Sequence, residues 1–137
     1  MKALLSATCF CGAAHLHGRK TIRLHADLDS YGWPQKGRNK ALKLIKKANA
    51  VHIGGDQHLA SIVHHGTKNF EDGPFQFIVP ALVNNYYSRW WWPENEKPGE
   101  KANNKLPWTG RYLDGFNNKI TMHAYANPCL LYTSDAA

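Results

Sequence analysis

A pair of glycines that follows a helix and a short apolar strand is the feature that most restricts the fold of this chain. Apolar residues recur at three- and four-residue spacing over residues 35–49, with basic residues between them, which predicts an amphipathic helix. Residues 50–54 then form a short buried strand, and Gly54 and Gly55 allow a sharp turn after it. This order favours a mixed α/β fold with a functional loop at the carboxyl end of the strand.

The remaining elements are short. A first strand is predicted over residues 4–10, although the basic, apolar and small residues of the first fourteen positions also fit a signal peptide. Residues 59–65 and 119–125 alternate as strands do, and residues 75–83 form an apolar run in which Pro80 marks a loop or a strand edge. Residues 93–107 are rich in Pro, Glu, Asn and Lys, which predicts an exposed loop.

Composition indicates one globular domain with a basic, aromatic-rich surface. The chain has 137 residues, of which 43% are hydrophobic and 20% charged, and no apolar run is long enough for a transmembrane helix. Its net charge is +7, and three tryptophans stand together at positions 90–92. Helix lysines can be a solvated face or a phosphate-binding one, and the tryptophans can pack a loop or stack on a base or sugar. A non-catalytic module that binds nucleic acid or polysaccharide is therefore one open hypothesis.

The residues most suited to chemistry follow the predicted strand. Residues i and i+2 of an extended segment point to the same side, so the Asp56 carboxylate and the His58 imidazole can converge. That ligand pair suits Fe, Mn or Zn, and the carboxylate alone also suits Ca or Mg. The alternative is an ordinary hydrogen-bonded turn. His64 and His65 lie on the next predicted strand, from which one of them can approach and support the ligands.

Several groups of residues together complete a family pattern. Residues 29–34 read Asp-Ser-Tyr-Gly-Trp-Pro, Arg38 begins the helix, and residues 51–58 read Val-His-Ile-Gly-Gly-Asp-Gln-His. This combination resembles the C-terminal half of the alkaline phosphatase D family of metallophosphoesterases. Residues 78–87, 89–91 and 113–122 look like the larger bacterial PhoD-like proteins, so the similarity spans residues 3–128.

The resemblance implies the C-terminal part of a four-layer α/β/β/α sandwich and a metal-dependent phosphatase or phosphodiesterase. Asp56 and His58 match its Gly-Asp-x-His motif, whose members bind a pair of metal ions, either Fe with Ca or ions of the Mn, Zn or Mg type. The expected reaction is in-line attack of a metal-activated hydroxide on a phosphoester. The family's other ligands lie upstream, so this chain alone is expected to be inactive. Residues expected to support the ligands or contact the substrate are Asp29, Arg38, His64, Asn84 and Arg89.

Both ends of the chain carry further expectations. Residues 129–137 match the translation of a transposon-end sequencing adapter, so residues 1–128 are expected to form the domain and the last nine to be foreign to it. The resemblance favours a strand over a signal peptide at the beginning, with Met1 internal to a longer gene. By the same resemblance, the parent enzyme is expected to be periplasmic or extracellular.

Overall fold

The computed structural model describes residues 1–12, 15–17, 22–24, 28–57, 59–79, 88–90, 106 and 108–126, and in the short strands at 15–17, 22–24 and 88–90 it describes the backbone. These residues form one helix and two sheets, a mixed α/β fold as expected. The elements are β1 (Lys2–Ser6), β2 (His15–His17), β3 (Ile22–Leu24), α1 (Gln35–Lys47), β4 (Ala50–Gly54), β5 (Ala60–His65), β6 (Phe75–Ile78), β7 (Ser88–Trp90), β8 (Gly110–Leu113) and β9 (Lys119–Ala126).

The larger sheet has six strands in the order β1-β4-β6-β5-β9-β8, and the smaller has the order β3-β2-β7. Strands β1, β4 and β6 are parallel, whereas β5 pairs antiparallel with both β6 and β9. The parallel strands end together at Ser6, Gly54 and Ile78, and we call this end of the sheet the carboxyl edge. At the opposite end, the amino edge, β5 ends at His65 while β6 and β9 begin.

Helix α1 covers one face of the larger sheet. Its Leu42 and Ile45 are buried against Phe10, which belongs to the segment that leaves β1 and crosses this face. Asn49 ends the helix region with a φ of 52°, a left-handed conformation that asparagine tolerates. The main core lies on the same face and consists of Cys9, Cys11, Leu59, Val63, Ile78, Tyr112, Ile120 and Met122.

The opposite face of the sheet is apolar and largely open. Leu5, Ile53, Phe77 and Ile62 form one register-matched row across four strands. Leu5 is 73% exposed, Phe77 is 36% exposed, and Phe75 beside this row is 38% exposed. Apolar patches of this kind mark surfaces that pack against another element.

Several boundaries differ from the predicted ones. The first strand ends at Ser6 instead of residue 10, because the chain leaves the sheet there and the Phe10 N–H bonds the side-chain oxygen of Gln76 rather than the backbone of a neighbouring strand. Strand β8, with the sequence Gly-Arg-Tyr-Leu, was not predicted. Within the described part of the chain, no helix is long and apolar enough to span a membrane. Most of the loop predicted at 93–107 and all of the tail at 129–137 lie outside the described residues.

Candidate functional site at the carboxyl edge

The turn after β4 depends on the close approach of neighbouring segments of the backbone. A Cβ atom at Gly54 would lie 3.0 Å from the Thr8 carbonyl oxygen and 3.0 Å from Ile78 Cδ1, so a larger residue would push the strand ends apart. The Val79 N–H bonds the Gly54 carbonyl at 3.0 Å, and the Gln57 N–H bonds the Gly55 carbonyl at 2.7 Å. The glycines therefore hold this loop tightly against the ends of β1 and β6.

Asp56 stands at the tip of this turn. Its φ of 66° is left-handed, a conformation that aspartate adopts more readily than most residues. The residue is exposed, and its carboxylate has no hydrogen bond or ion pair within the described residues. Both carboxylate oxygens are therefore free to accept a ligand. His58, the second expected metal ligand, lies outside the described residues, so its convergence with Asp56 stays a prediction.

Two buried polar atoms lie beside the same turn. Thr8 follows β1 and is 4% exposed, and Gln57 follows Asp56 and is 5% exposed. Within the described part of the chain, Thr8 Oγ1 and Gln57 Nε2 have no hydrogen-bond partner. Such buried polar groups are uncommon, and each costs about 1–3 kcal/mol. The carboxyl edge thus combines an unpaired carboxylate with unpaired polar atoms in adjoining loops.

A network of hydrogen-bonded, buried polar side chains runs across the helix-covered face of the sheet to this edge. The Arg38 guanidinium donates to the Phe10 carbonyl at 2.8 Å and to the Gly66 carbonyl at 2.9 Å, and it lies 3.2 Å from His65 Nδ1. His65 Nε2 and His52 Nδ1 each lie 3.1 Å from Gln76 Oε1. His52 Nε2 lies 2.5 Å from the hydroxyl of Ser6, the last residue of β1. The network of side-chain contacts is therefore continuous from α1 to the carboxyl edge.

Burial sets the charge of the two histidines in this network. It lowers the pKa of His52, and together with the nearby Arg38 charge it lowers the pKa of His65 well below its usual range. Both side chains are fully buried, and the charged form of a buried histidine is disfavoured because it loses its hydration. Both imidazoles are therefore neutral at pH 7.

The aspartates at the amino edge differ from Asp56 in accepting several hydrogen bonds each. Asp72 accepts backbone hydrogen bonds from Thr67, Lys68 and Asn69 at 2.5–3.0 Å, and these bonds lower its pKa against the opposing effect of burial. Buried Asp114 accepts backbone hydrogen bonds from Gly12, Phe116 and Asn118 at 2.8–2.9 Å. These carboxylates are occupied in closing loops.

The other residues expected at the site are not brought to it. His64 lies near the amino edge, where its Nε2 contacts the Gly73 carbonyl at 3.1 Å and its ring stacks on Phe75. His64 pairs with Phe75, three residues from the Ile78 end of β6, so at about 3.3 Å per residue it lies about 10 Å from the carboxyl edge and is not brought to Asp56. Arg38 is buried and structural rather than open to a substrate. Asp29 is exposed, and Asn84 and the side chain of Arg89 lie outside the described residues.

Ser6, His52 and Gln76 were missed by the sequence reasoning. A signal was present, because His52 and Gln76 occupy inward positions of strands whose neighbouring inward residues are apolar or glycine. A polar residue at an inward position needs a buried partner. What the pattern does not supply is the identity of that partner, since each pair comes from a different strand.

Comparisons of the chain with protein-family models, with curated proteins and with solved structures found no match. In the part of the chain that the structure describes, no three or more His, Cys, Asp or Glu side chains form a group able to hold a metal ion. The described residues therefore contribute Asp56 as a single candidate ligand, which is insufficient for an ion by itself.

Proposed function

We propose that the chain is part of a metal-dependent phosphoester hydrolase whose active site forms at the carboxyl edge. The observation that carries the proposal is Asp56, an exposed and unpaired carboxylate on a glycine turn directly after a parallel strand. Ligands of open α/β sheets bind beyond the carboxyl ends of the strands, where this turn lies. The Gly-Asp-x-His pattern then assigns Asp56 and His58 as metal ligands.

The donor chemistry fits a hard or borderline divalent ion. A carboxylate oxygen suits every metal named by the resemblance, and Asp56 has both oxygens available. Bound metal ions would supply Lewis acidity and an activated water. The residues of this chain would hold an ion through Asp56 and His58, while Gly54 and Gly55 keep that turn against the neighbouring strand ends. By the resemblance, the remaining ligands are expected upstream of these residues.

The open apolar face supports the finer assignment of the fold. A helix covers one face of the sheet, and the exposed row that contains Leu5 and Phe77 lies on the other face. Sheets in a sandwich pack face to face through such rows at about 10 Å separation. We propose that a second sheet of the parent protein packs here, which would complete an α/β/β/α sandwich.

Hydrolysis by the longer parent protein tests this function. With p-nitrophenyl phosphate or its bis ester, and with Mn, Zn, Ca or Fe added, we expect turnover by the parent and none by this chain alone. Asp56→Asn and His58→Ala in the parent should each lower kcat/KM by at least ~10–100-fold, the loss typical of weaker metal-site changes.

Lys68→Ala is the control, because the Lys68 side chain is exposed in the amino-edge loop, at the opposite end of the sheet from Asp56. Its kcat/KM should stay within about twofold of the parent value. Metal-dependent turnover by the isolated chain would show that the active site has been placed wrongly. Unchanged activity in the His58→Ala parent would lead to the same conclusion.

A polyanion-binding module is the second candidate, and one feature of α1 favours it. Lys36, Lys40, Lys43 and Lys47 follow one another at helical spacing and line a single shallow groove with Asn39 and Leu44. No salt bridge from these lysines to an acidic side chain is present within the described ranges. Such a stripe can neutralise phosphates of a nucleic acid.

Salt-dependent binding separates the two candidates. If the stripe is a nucleic-acid site, a labelled duplex should bind with a log–log salt slope of about −0.9 per neutralised phosphate. Lys40→Gln with Lys43→Gln should then reduce the slope by about two. The hydrolase proposal predicts only weak binding, unchanged by the double substitution.

A further inference from the structure

Ser6, His52 and Gln76 form a connected set at the carboxyl edge that the metal site does not use. Ser6 Oγ lies 2.5 Å from His52 Nε2, and His52 Nδ1 lies 3.1 Å from Gln76 Oε1. Ser6 is half-buried at the end of β1, whereas His52 and Gln76 have no exposed surface. A hydroxyl, an imidazole and an orienting acceptor are thus aligned from the edge inwards.

The neighbours of the set fix where its protons lie. The Phe10 N–H, which can only donate, bonds Gln76 Oε1 at 2.7 Å, so that atom is the amide oxygen. Because this oxygen only accepts, His52 Nδ1 carries the ring proton that faces it. The imidazole is neutral, so His52 Nε2 presents its lone pair to Ser6 Oγ. The Ser6 hydroxyl has one proton and two acceptors within reach, the Thr8 carbonyl at 2.6 Å and the His52 Nε2 lone pair at 2.5 Å, and rotation about the Cβ–Oγ bond directs the proton to either.

His65 strengthens this assignment. Arg38 only donates and faces His65 Nδ1, so neutral His65 carries its proton on Nε2 and donates to the same Gln76 oxygen. Among the described residues, the three groups that contact Gln76 Oε1 are therefore all donors. This surrounding holds the amide in one orientation, and through it the tautomer of His52.

We propose that Ser6 is a nucleophile for activated carboxylic or phosphonic esters, with His52 as its general base and Gln76 as the positioning residue for that base. In the step, Ser6 Oγ forms a bond to the acyl carbon or phosphorus as its proton passes to His52 Nε2. The bond from that centre to the leaving group breaks, and His52 then gives the proton to the departing group. Oxidation states do not change, and no metal is required.

The position of the set agrees with this role. A nucleophile adjacent to a base that a third group orients is the arrangement that activates serine hydroxyls. Ser6 pairs with Gly54, two residues before Asp56, so the nucleophile lies at the same end of the sheet as the open turn. The base is shielded from water behind it. The inference goes beyond the phosphoester hydrolase and does not depend on it.

Covalent labelling of the chain with an alkyl fluorophosphonate in excess EDTA tests the proposal. Ser6 Oγ should displace fluoride, and peptide mass spectrometry should locate the adduct on Ser6. Ser6→Ala should remove it. His52→Asn keeps a donor toward Gln76 but has no base toward Ser6, and it should slow labelling by ~10²–10⁴-fold, the usual contribution of a general base. Ser61→Ala is the matched control on β5 and should label at the parent rate.

A pH profile keeps the test decisive if His52→Asn fails to fold. Labelling of the unaltered chain should be constant near neutral pH and fall tenfold per pH unit below the pKa of the base. No Ser6 adduct on the folded chain would overturn the proposal. A loss of less than tenfold in a folded His52→Asn variant, or a flat acid limb in the pH profile, would also overturn it. Because EDTA removes metals, either result leaves the phosphoester hydrolase untouched.

Discussion

The two edges of the six-stranded sheet use aspartate in opposite ways. At the amino edge, Asp72 and Asp114 accept several backbone N–H groups each and close the loops before β6 and β9. At the carboxyl edge, Asp56 is exposed and unpaired within the described residues, beside buried atoms of Thr8 and Gln57 that also lack partners. The carboxylates of the amino edge are satisfied by backbone donors, and the Asp56 carboxylate has no such donor among the described residues. Whether a loop aspartate closes its loop or stays open to a ligand is thus decided by its hydrogen bonds, and not by its neighbours in sequence.

The largest effect should come from Asp114→Ala. The substitution removes the acceptor of the Gly12, Phe116 and Asn118 backbone N–H groups, each of which costs about 1–3 kcal/mol if left unpaired in the interior. We expect the free energy of unfolding in urea to fall by about 4 kcal/mol, or the variant to recover only as insoluble protein. A loss below about 1 kcal/mol would show that this edge is not held by its carboxylate.

Arg38→Lys should have the next largest effect. The guanidinium joins the segment at Phe10 to the Gly66 turn at the amino edge, and one ammonium cannot reproduce its planar fork. We expect a loss of about 2–3 kcal/mol in urea denaturation. Lys43→Arg on the exposed side of α1 is the control and should change stability by less than about 0.5 kcal/mol. Equal effects of the two substitutions would contradict the structural role of Arg38.

Acid should weaken the network between the two edges. The folded state holds the pKa values of His52 and His65 below their ordinary value of 6.5, so the unfolded state binds more protons once the pH falls below that value. Stability is complete above about pH 6.5 and declines as the pH falls toward the lowered folded values. The decline is about 1.4 kcal/mol per pH unit for each histidine that stays neutral.

Urea denaturation at stepped pH measures this slope. His65→Gln should make the slope shallower, because it removes the histidine whose pKa is lowered furthest. If the His65→Gln variant kept the full pH dependence of stability seen in the unaltered chain, the acid sensitivity would belong to other groups.

How much of the fold could be predicted from the sequence depends on whether the residues that determine an element are close together along the chain. The start of α1 at Gln35 and the bounds of β4 were predicted correctly, because helical periodicity and a glycine turn are properties of neighbouring residues. Strand β8 was missed because Gly-Arg-Tyr-Leu has little apolar alternation, and it exists through pairing with β9. Sequence proximity also failed for His64, which alternates away from His65 and lies near the amino edge.

The candidate site was predictable only in part. The position of Asp56 after a buried strand followed from Gly54 and Gly55, whereas its lack of partners is a property of the folded loop. The contact of Ser6 with His52 joins residues 46 positions apart and depends on the parallel pairing of β1 with β4. Pairings at such separation are set by the whole sheet, which no short pattern encodes.

The smallest effect on stability should come from Asp56→Asn, because asparagine also tolerates the left-handed φ of 66° at this position. An exposed side chain without partners contributes little to folding, so we expect a change within about 0.5 kcal/mol in urea denaturation. Set against the result for Asp114→Ala, this measurement gives the energetic difference between the two edges. A loss above about 2 kcal/mol would show that Asp56 closes its loop as the amino-edge aspartates do.

Paramagnetic broadening by Mn²⁺ tests the central claim, that the carboxyl edge is the functional end of the sheet, most directly. Asp56 and His58 together should bind Mn²⁺ only weakly, and weak binding is enough to broaden nearby signals. Titration of the ¹⁵N-labelled chain should therefore broaden the amide signals of Gly55, Asp56 and Gln57 first and leave those of the Asp72 and Asp114 loops sharp. Asp56→Asn should abolish the broadening at the carboxyl edge. Broadening centred on the amino edge, or broadening at Gly55 that survives Asp56→Asn, would contradict the account.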